Sequence, residues 1–354
     1  PLSFPFDEDY ADSWKKVDSL QGLGLYASAL DVVEEIYSFA KEKDNAPQVV
    51  KSVIHKMKYN SYLEEDDFVL AVAELNELAQ NSKFPLKQII HCITAQTYWG
   101  YYQQNRWRIV NRTETVDFEN KDIRTWDLSK ISDEVSRHYM LSLTASDSSQ
   151  KANIQDFDEI LSGFNNDLKQ RPTLYDFLAH MALDFFKSSE TELTRPENKF
   201  IVKGTSYFNT NATFLATSTD SEDARSNARK AVIILKELTR FHLKDKNPEA
   251  QVDLNLKRLA FARNQSVEES KEDLYIKALE LLATQNKSHQ VYSEIQFLCA
   301  KFYNERGAKY DGKNQEFRWD KKKALDICTN AIKSFPKSLG ANQCIALKAS
   351  IEFK

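Results

Sequence analysis

The sequence feature that most constrains the fold is an apolar stripe that recurs every three to four residues. The segment 171–186, RPTLYDFLAHMALDFF, shows it best. Its apolar positions fall at i, i+3, i+4, i+7, i+8 and i+11, namely Leu174, Phe177, Leu178, Met181, Ala182 and Phe185. This spacing is the period of an amphipathic helix that buries one face. Thr173, with Asp176 three residues later, predicts a capping box at the start of this helix.

Stripes of the same period fill most of the 354-residue chain. They run through 47–62, 66–81, 85–105, 125–144, 222–245, 248–263, 270–286, 289–307 and 319–334. Ser28 and Asp31 predict a further helix start, in the segment SALDVVEEIYSFAKEK. The chain has only 8 Gly and 8 Pro, which is too few for the turns of a β-sandwich or barrel. The sequence therefore predicts an all-α fold.

Regularly spaced small residues indicate how the helices pack near the C-terminal end. Ala324, Ala331 and Pro336 follow the spacing of the second helix of a tetratricopeptide repeat. Ala300 occupies the matching small position of the preceding helix, with about a dozen extra residues in the turn. Small side chains let two helices approach closely, and a proline ends the second helix. We therefore expect a tetratricopeptide-like α-solenoid of antiparallel helix pairs, forming a single helical module over 1–354.

Two long irregular excursions, 107–124 and 189–221, interrupt this series. Both lack the helical period and are rich in Thr, Asn and β-branched residues. We expect them to pack against the helices, and any strand to be confined to them. The apolar anchors predicted for this packing are Trp107, Phe118, Phe200, Tyr207 and Phe214.

Charge and motif content exclude several classes of function. The chain has 48 Lys and Arg against 52 Asp and Glu, so no broad basic field is available to attract nucleic acid or anionic lipid. No apolar run reaches the length of about 18 residues that spans a bilayer. The sequence contains no P-loop, G-x-G-x-x-G, G-x-S-x-G or H-E-x-x-H motif. We therefore expect a monomeric protein-binding chain that is not an enzyme and that holds no cofactor or metal.

The cysteines and two of the histidines are interpreted as core residues. No C-x-x-C pair is present, and each cysteine lies in an apolar helical pattern, so free thiols are expected at Cys92, Cys299, Cys328 and Cys344. A disulfide between the last two stays open, because adjacent antiparallel helices can bring them together. His91 and His180 also lie in apolar helices and are interpreted as core or seam residues.

The densest aromatic region spans 98–126. Its candidate binding residues, which can stack on sugars or on an apolar segment of a partner, are Trp99, Tyr102, Trp107 and Trp126. The alternative is that these side chains fill the space between the helices and the first excursion. Helical spacing favours this alternative, because it places Tyr98 and Tyr101 on the same face as Tyr102.

Several stretches together resemble a known family. They are NAPQ (45–48), RWR (106–108), DIRTWDL (122–128), RPTLYDFLAHMALDFF (171–186) and LTRPENKF (193–200). They look like the helical N-terminal region of very large alpha-2-macroglobulin-like proteins from the envelope of Gram-negative bacteria, and the similarity covers essentially the whole chain. No Cys-x-x-Gln thioester pattern is present, so the resemblance carries over no reactive site.

The resemblance implies a mature start after removal of a signal peptide, and a natural continuation past Lys354 into β-sandwich macroglobulin domains. It implies a periplasmic or outer-membrane-associated location in the bacterial envelope, and a protease-inhibitor or defence role of the parent protein. The expected function is then a non-enzymatic docking module that contacts the following domains or an envelope partner. Two alternatives stay open: a free-standing tetratricopeptide-type adaptor that binds peptides, and a glycan-active helical domain that uses the aromatic region.

Overall fold

The protein is all-α, as its sequence predicts. The computed structural model describes residues 8–63, 67–112, 122–161, 168–188, 190, 200–312 and 315–353. Within these ranges the only extended pairings are two isolated bridges, Asn153 with Thr173 and Val202 with Ser266. The chain divides into two compact units, one within residues 1–197 and one within residues 198–354. The single module over 1–354 stays a prediction, and each unit is described by itself.

The first unit is built from helices that pack mainly on their neighbours in the sequence. They are α1 (Glu8–Gly22), α2 (Tyr26–Glu42), α3 (Ala46–Leu63), α4 (Asp67–Asn81), α5 (Leu86–Gln104), α6 (Arg106–Ile109), α7 (Leu128–Ser142), α8 (Ser146–Ser149) and α9 (Leu174–Phe186). Helix α2 packs on α3, α4 on α5, and α5 on α7. Single 3-10 helices cover Ile123–Thr125 and Ile154–Ile160.

The second unit continues the same arrangement. Its helices are α10 (Asn211–Leu215), α11 (Asn227–His242), α12 (Glu249–Gln265), α13 (Lys271–Gln285), α14 (Val291–Gly307), α15 (Asp320–Ser334) and α16 (Leu339–Glu352). From α11 onward each helix packs on the next, and α16 packs on both α14 and α15. A 3-10 helix at Thr205–Phe208 precedes α10 and packs on α12 and α13.

One of the two predicted helix starts is confirmed. The Oγ1 of Thr173 accepts a hydrogen bond from the backbone N–H of Asp176, whose carboxylate accepts from the backbone N–H of Thr173, and this is the expected capping box. The start at Ser28 is wrong, because α2 begins at Tyr26 without a side-chain cap. Gly24 adopts a φ of 74°, so the turn after α1 leads the backbone directly into α2.

The small residues near the C-terminal end lie in a close seam. Ala300, Ala324 and Ala331 are fully buried where α14 and α15 pack. At the start of α16, a Cβ placed on Gly340 would lie 2.2 Å from the backbone nitrogen of Glu294 in α14, so only glycine fits there. These contacts agree with the packing that the spacing predicted, while the tetratricopeptide-like solenoid stays a prediction.

The anchors predicted for the excursions are confirmed in one excursion and wrong in part of the other. Phe200, Tyr207 and Phe214 are buried. Trp107, however, is 77% exposed, because the single turn of α6 directs Ile109 inward instead. Phe118 lies outside the described residues.

All four cysteines are buried free thiols. Burial raises the pKa of Cys92 and of Cys299 to about 12. The thiols of Cys328 in α15 and Cys344 in α16 hydrogen-bond to each other, so these two helices do bring the pair together. In the part of the chain that is described, no helix combines the length and apolarity needed to cross a membrane.

Candidate binding sites

The predicted aromatic site is largely part of the core of the first unit. Tyr102 and Trp126 are buried. The ring of Trp99 lies 4.7 Å from that of Tyr102 and 5.0 Å from that of Phe185, measured between centroids. Trp107 alone among the four candidates presents most of its side chain to solvent. The four candidates therefore do not form one exposed stacking surface, and their role in binding stays a prediction.

The helices of the same unit bring two histidines into direct contact. His91 on α5 and His138 on α7 are buried, with their Nδ1 atoms 3.1 Å apart. The guanidinium of Arg137 approaches the Nε2 of His138 at 2.8 Å, so this nitrogen accepts. The Nδ1–H of His138 then donates to the Nδ1 of His91, which fixes both tautomers. Because Nε2 of His138 and Nδ1 of His91 both act as acceptors, this pair of hydrogen bonds forms when both rings are neutral.

Burial and neighbouring cations hold the pair in its neutral form. Burial, followed by the positive charges of Lys87 and Arg137, lowers the pKa of His91 to about 4. Burial, followed by Arg137 and His91, lowers the pKa of His138 to about 3. The interpretation of His91 as a seam residue agrees with this geometry. Across the described ranges, no group of three or more His, Cys, Asp or Glu side chains could hold a metal ion.

The second unit contains a polar cleft of about 350 Å³ between α12, α13 and the segment 208–211. Amide side chains dominate its lining, and they belong to Asn209, Asn211, Gln251, Asn255, Gln285 and Asn286. Arg258 on α12 is the one charged residue among the described residues of the lining. Apart from the positive charge of Arg258, the described lining is uncharged and rich in hydrogen-bond donors and acceptors.

Arg258 is held rigidly in this wall. Its side chain is only 4% exposed. The Nη1 atom donates to the carbonyl oxygens of Tyr207 and Asn209 at 3.3 and 2.8 Å, and Nη2 donates to the Oδ1 of Asn255 at 2.8 Å. The guanidinium lies 4.9 Å from the centre of the Phe214 ring. Burial lowers the pKa of Arg258 to about 10, which leaves it a cation at neutral pH.

A second cleft of similar volume differs in its charges. It lies among α12, α13, α14 and the turn that follows α14, and both of its arginines have carboxylate partners. Arg263 pairs with Glu272 at 2.8 Å, and Arg306 pairs with Asp320 at 2.5 Å. These ion pairs satisfy the cations without a ligand, so the cleft at Arg258 is the better candidate for binding.

Helix α16 buries small residues and exposes several large apolar ones. Its buried residues are small: Gly340, Ala341 and Cys344. Of its large apolar residues, Leu339 is 52% exposed and Ile345 is 49% exposed, while Leu347 and Ile351 are partly buried. Phe353, at its C-terminal cap, is 92% exposed. A soluble surface rarely concentrates apolar side chains in this way without a partner.

Sequence reasoning missed Arg258, although a signal was present. Leu254 and Ala262 lie four residues before and after it, and both are buried. Arg258 therefore interrupts an apolar stripe, and a charge at such a position predicts a buried cation. Comparisons with protein-family models, with curated proteins and with solved structures found no match to this chain.

Proposed function

We propose that this chain is a non-enzymatic protein-interaction module with tetratricopeptide-like helix pairs, and that the apolar face of α16 is its docking surface. The observation that carries the proposal is the burial pattern of α16. Its small residues are buried, whereas Leu339, Ile345 and Phe353 are exposed. Covering the exposed half of Leu339 or Ile345 against another protein would release on the order of 1 kcal/mol each, and covering the almost fully exposed Phe353 about 1.5–3 kcal/mol.

We further propose that the module belongs to the N-terminal region of an alpha-2-macroglobulin-like protein of the bacterial envelope. The support for this step is the resemblance of segments such as 122–128 and 171–186 to that family. The partner is then either a macroglobulin domain of the same polypeptide or another envelope protein. An antibody against the chain should detect its antigen in the periplasmic or outer-membrane fraction of the source bacterium, and an exclusively cytosolic signal would contradict the location.

Site-specific photocrosslinking tests the docking surface. A benzophenone amino acid replaces Ile345 on the outer face of α16, and the matched control replaces the exposed Lys333 on α15. Crosslinking in envelope extracts should yield one defined protein adduct from position 345 and none from position 333. The adduct is identified by mass spectrometry, and it should disappear when Leu339 is also changed to Glu. Equal, diffuse labelling from both positions would contradict the proposal.

A glycan array and a hydrolase panel on the purified chain test the non-enzymatic part of the proposal. Turnover that persists through purification and is lost when a nearby carboxylate is changed would contradict it. Glycan binding that is lost in Trp107→Ala would instead favour a role for the exposed aromatic residue of the 98–126 region.

A further inference from the structure

Arg258, the cation in the cleft between α12 and α13, has no counter-charge among the residues that the structure describes. Arginine carries five N–H donors. Three of those in Arg258 are used, two by the carbonyl oxygens of Tyr207 and Asn209 and one by Asn255. The buried Nε has no hydrogen-bond partner, and one N–H of Nη2 also lacks an acceptor. Two donors of a nearly buried guanidinium therefore remain unused.

This state is costly unless a ligand completes it. Buried charges in proteins are normally paired, but among the described residues no carboxylate contacts Arg258, whose pKa is shifted by burial alone. The ring of Phe214 offsets part of the cost through a cation–π contact, but it accepts no hydrogen bond from Nε. Because Nε is buried out of reach of the cleft, the second N–H of Nη2 is the donor left for a ligand, and the group that satisfies a charged donor best is a carboxylate.

The rest of the cleft indicates what carries that carboxylate. Its side-chain amides, such as those of Gln251, Gln285 and Asn286, each offer both donors and acceptors, which matches the alternating N–H and C=O groups of a peptide backbone. Sugar sites usually present an aromatic face for stacking. Among the described residues of this lining the one aromatic residue, Phe208, is buried and offers no such face.

We propose that the cleft at Arg258 binds a carboxylate of a polypeptide, with Arg258 as its counter-ion and the surrounding amides holding the adjacent backbone. The proposal rests on the proposed function in one respect, namely that the ligand belongs to a protein partner. The cleft is a separate surface from the apolar face of α16, and its ligand group is defined: the carboxylate of an Asp or Glu side chain or of a C-terminus.

Variants at Gln251 test the proposal without disturbing the bonds of Arg258. The Gln251 side chain lines the cleft, and its backbone carbonyl, which is unchanged by substitution, accepts from Asn255. Gln251→Glu adds a negative charge beside the carboxylate site, whereas Gln251→Arg adds a positive one. The matched control is Gln343→Glu on α16, which introduces the same charge at a position outside the cleft lining.

The probes are acetyl-glutamate amide, a short peptide with a free C-terminal carboxylate, acetyl-glutamine amide and methyl glucuronoside. Binding is followed in the full chain by the NMR signals of the arginine side chains, in which the Nε–H of Arg258 reports a change in the surroundings of its guanidinium. At least one of the two carboxylate peptide probes should shift this signal with saturation, and acetyl-glutamine amide should not. Gln251→Glu should weaken binding about tenfold, Gln251→Arg should strengthen it, and Gln343→Glu should leave it unchanged.

Two results would overturn the inference. The first is a spectrum in which no carboxylate probe shifts the Arg258 signal, or in which Gln251→Glu binds as well as the unaltered chain. The second is binding of methyl glucuronoside that is tighter than that of both peptide probes, which would assign the cleft to acidic sugars. If a protein partner crosslinks at Ile345 and its binding is unaffected by Gln251→Glu, the proposed function stands while the inference about the cleft fails.

Discussion

The contact between His91 and His138 predicts a defined loss of stability in acid. Their pKa values in the folded protein are about 4 and about 3, below the value near 6.5 that both imidazoles have in an unfolded chain. On acidification the unfolded state therefore binds these protons first. The stabilisation is fully present above pH about 6.5, declines steadily as the pH falls below that value, and is completely lost once the pH has fallen through about 4 and then about 3.

The magnitude follows from the difference in proton binding. At pH 5 an unfolded imidazole with a pKa near 6.5 gains about 2 kcal/mol from protonation, while the folded pair is still neutral. Lowering the pH from 7 to 5 should thus reduce the free energy of unfolding by at most about 3–4 kcal/mol through this pair, because solvent screening and the carboxylate of Glu134, 3.9 Å from Nε2 of His138, both favour the charged rings. That is a large part of the stability of about 5–15 kcal/mol that is typical of a folded domain.

Urea unfolding at pH 7 and pH 5 measures this loss. Four of the five tryptophans, Trp14, Trp99, Trp107 and Trp126, belong to the first unit, so tryptophan fluorescence reports mainly on the unit that contains the pair. The informative variant is His91→Asn. Its side-chain oxygen can still accept from the Nδ1–H of His138, but it cannot be protonated.

The variant should lose about half of the pH dependence, since one of two imidazoles no longer titrates. Other groups also respond to pH in this range, such as His55, whose pKa is lowered chiefly by burial, so the difference between variant and parent is the relevant quantity. The control is His289→Asn, because that imidazole is 34% exposed and belongs to the second unit. The reasoning is refuted if His91→Asn unfolds with the same pH dependence as the parent, or if NMR titration shows both rings protonating near pH 6.5.

Three further predictions concern helix packing, the thiols and the C-terminal helix. Gly340→Ala should destabilise the second unit by about 1–3 kcal/mol, because the new methyl group would meet the backbone of α14 at 2.2 Å. Gly100→Ala is the control: nothing lies within 4 Å of the new methyl group, so it should stabilise the first unit by about 0.5–1 kcal/mol. Thermal unfolding checks both, and equal effects would contradict a close seam. Under denaturing, non-reducing conditions all four thiols should titrate, and mild oxidation with diamide should join Cys328 to Cys344 first, as peptide mapping would reveal. Hydrogen exchange should be faster in α16 than in α15, because α16 buries only small residues, and equal protection would show that its exposed face is not a weak point.

Local patterns in the sequence were enough to predict most of the helices. The stripe over 171–186 and the capping box at Thr173 and Asp176 involve residues within one or two turns of each other, so their geometry is fixed by the helical period alone. Ser28 failed as a helix start because the turn at Gly24 had already directed the chain into α2. A capping residue predicts a helix start only where the residues before it are not already helical.

The candidate sites depend on contacts that local patterns do not contain. His91 and His138 are 47 positions apart in the sequence, and their contact requires a particular register between α5 and α7. Arg258 meets carbonyl oxygens about 50 positions before it, in a segment without helical period. In the aromatic region 98–126, the composition suggested an exposed binding surface. Packing instead buries most of these rings, and Trp107 is the exposed candidate.

The two proposed surfaces of the second unit lie close enough for one partner to use both. Helix α13 forms a wall of the cleft and packs on α14, which in turn packs on α16, so two helix spacings of about 8–10 Å each separate the cleft wall from α16. A segment of about six extended residues covers that distance. If one partner engages both surfaces, Gln251→Glu and Ile345→Glu should each weaken it, and their free-energy losses should add in the double variant. If each variant weakens a different partner and leaves the other unchanged, the surfaces act separately and a single shared ligand is excluded.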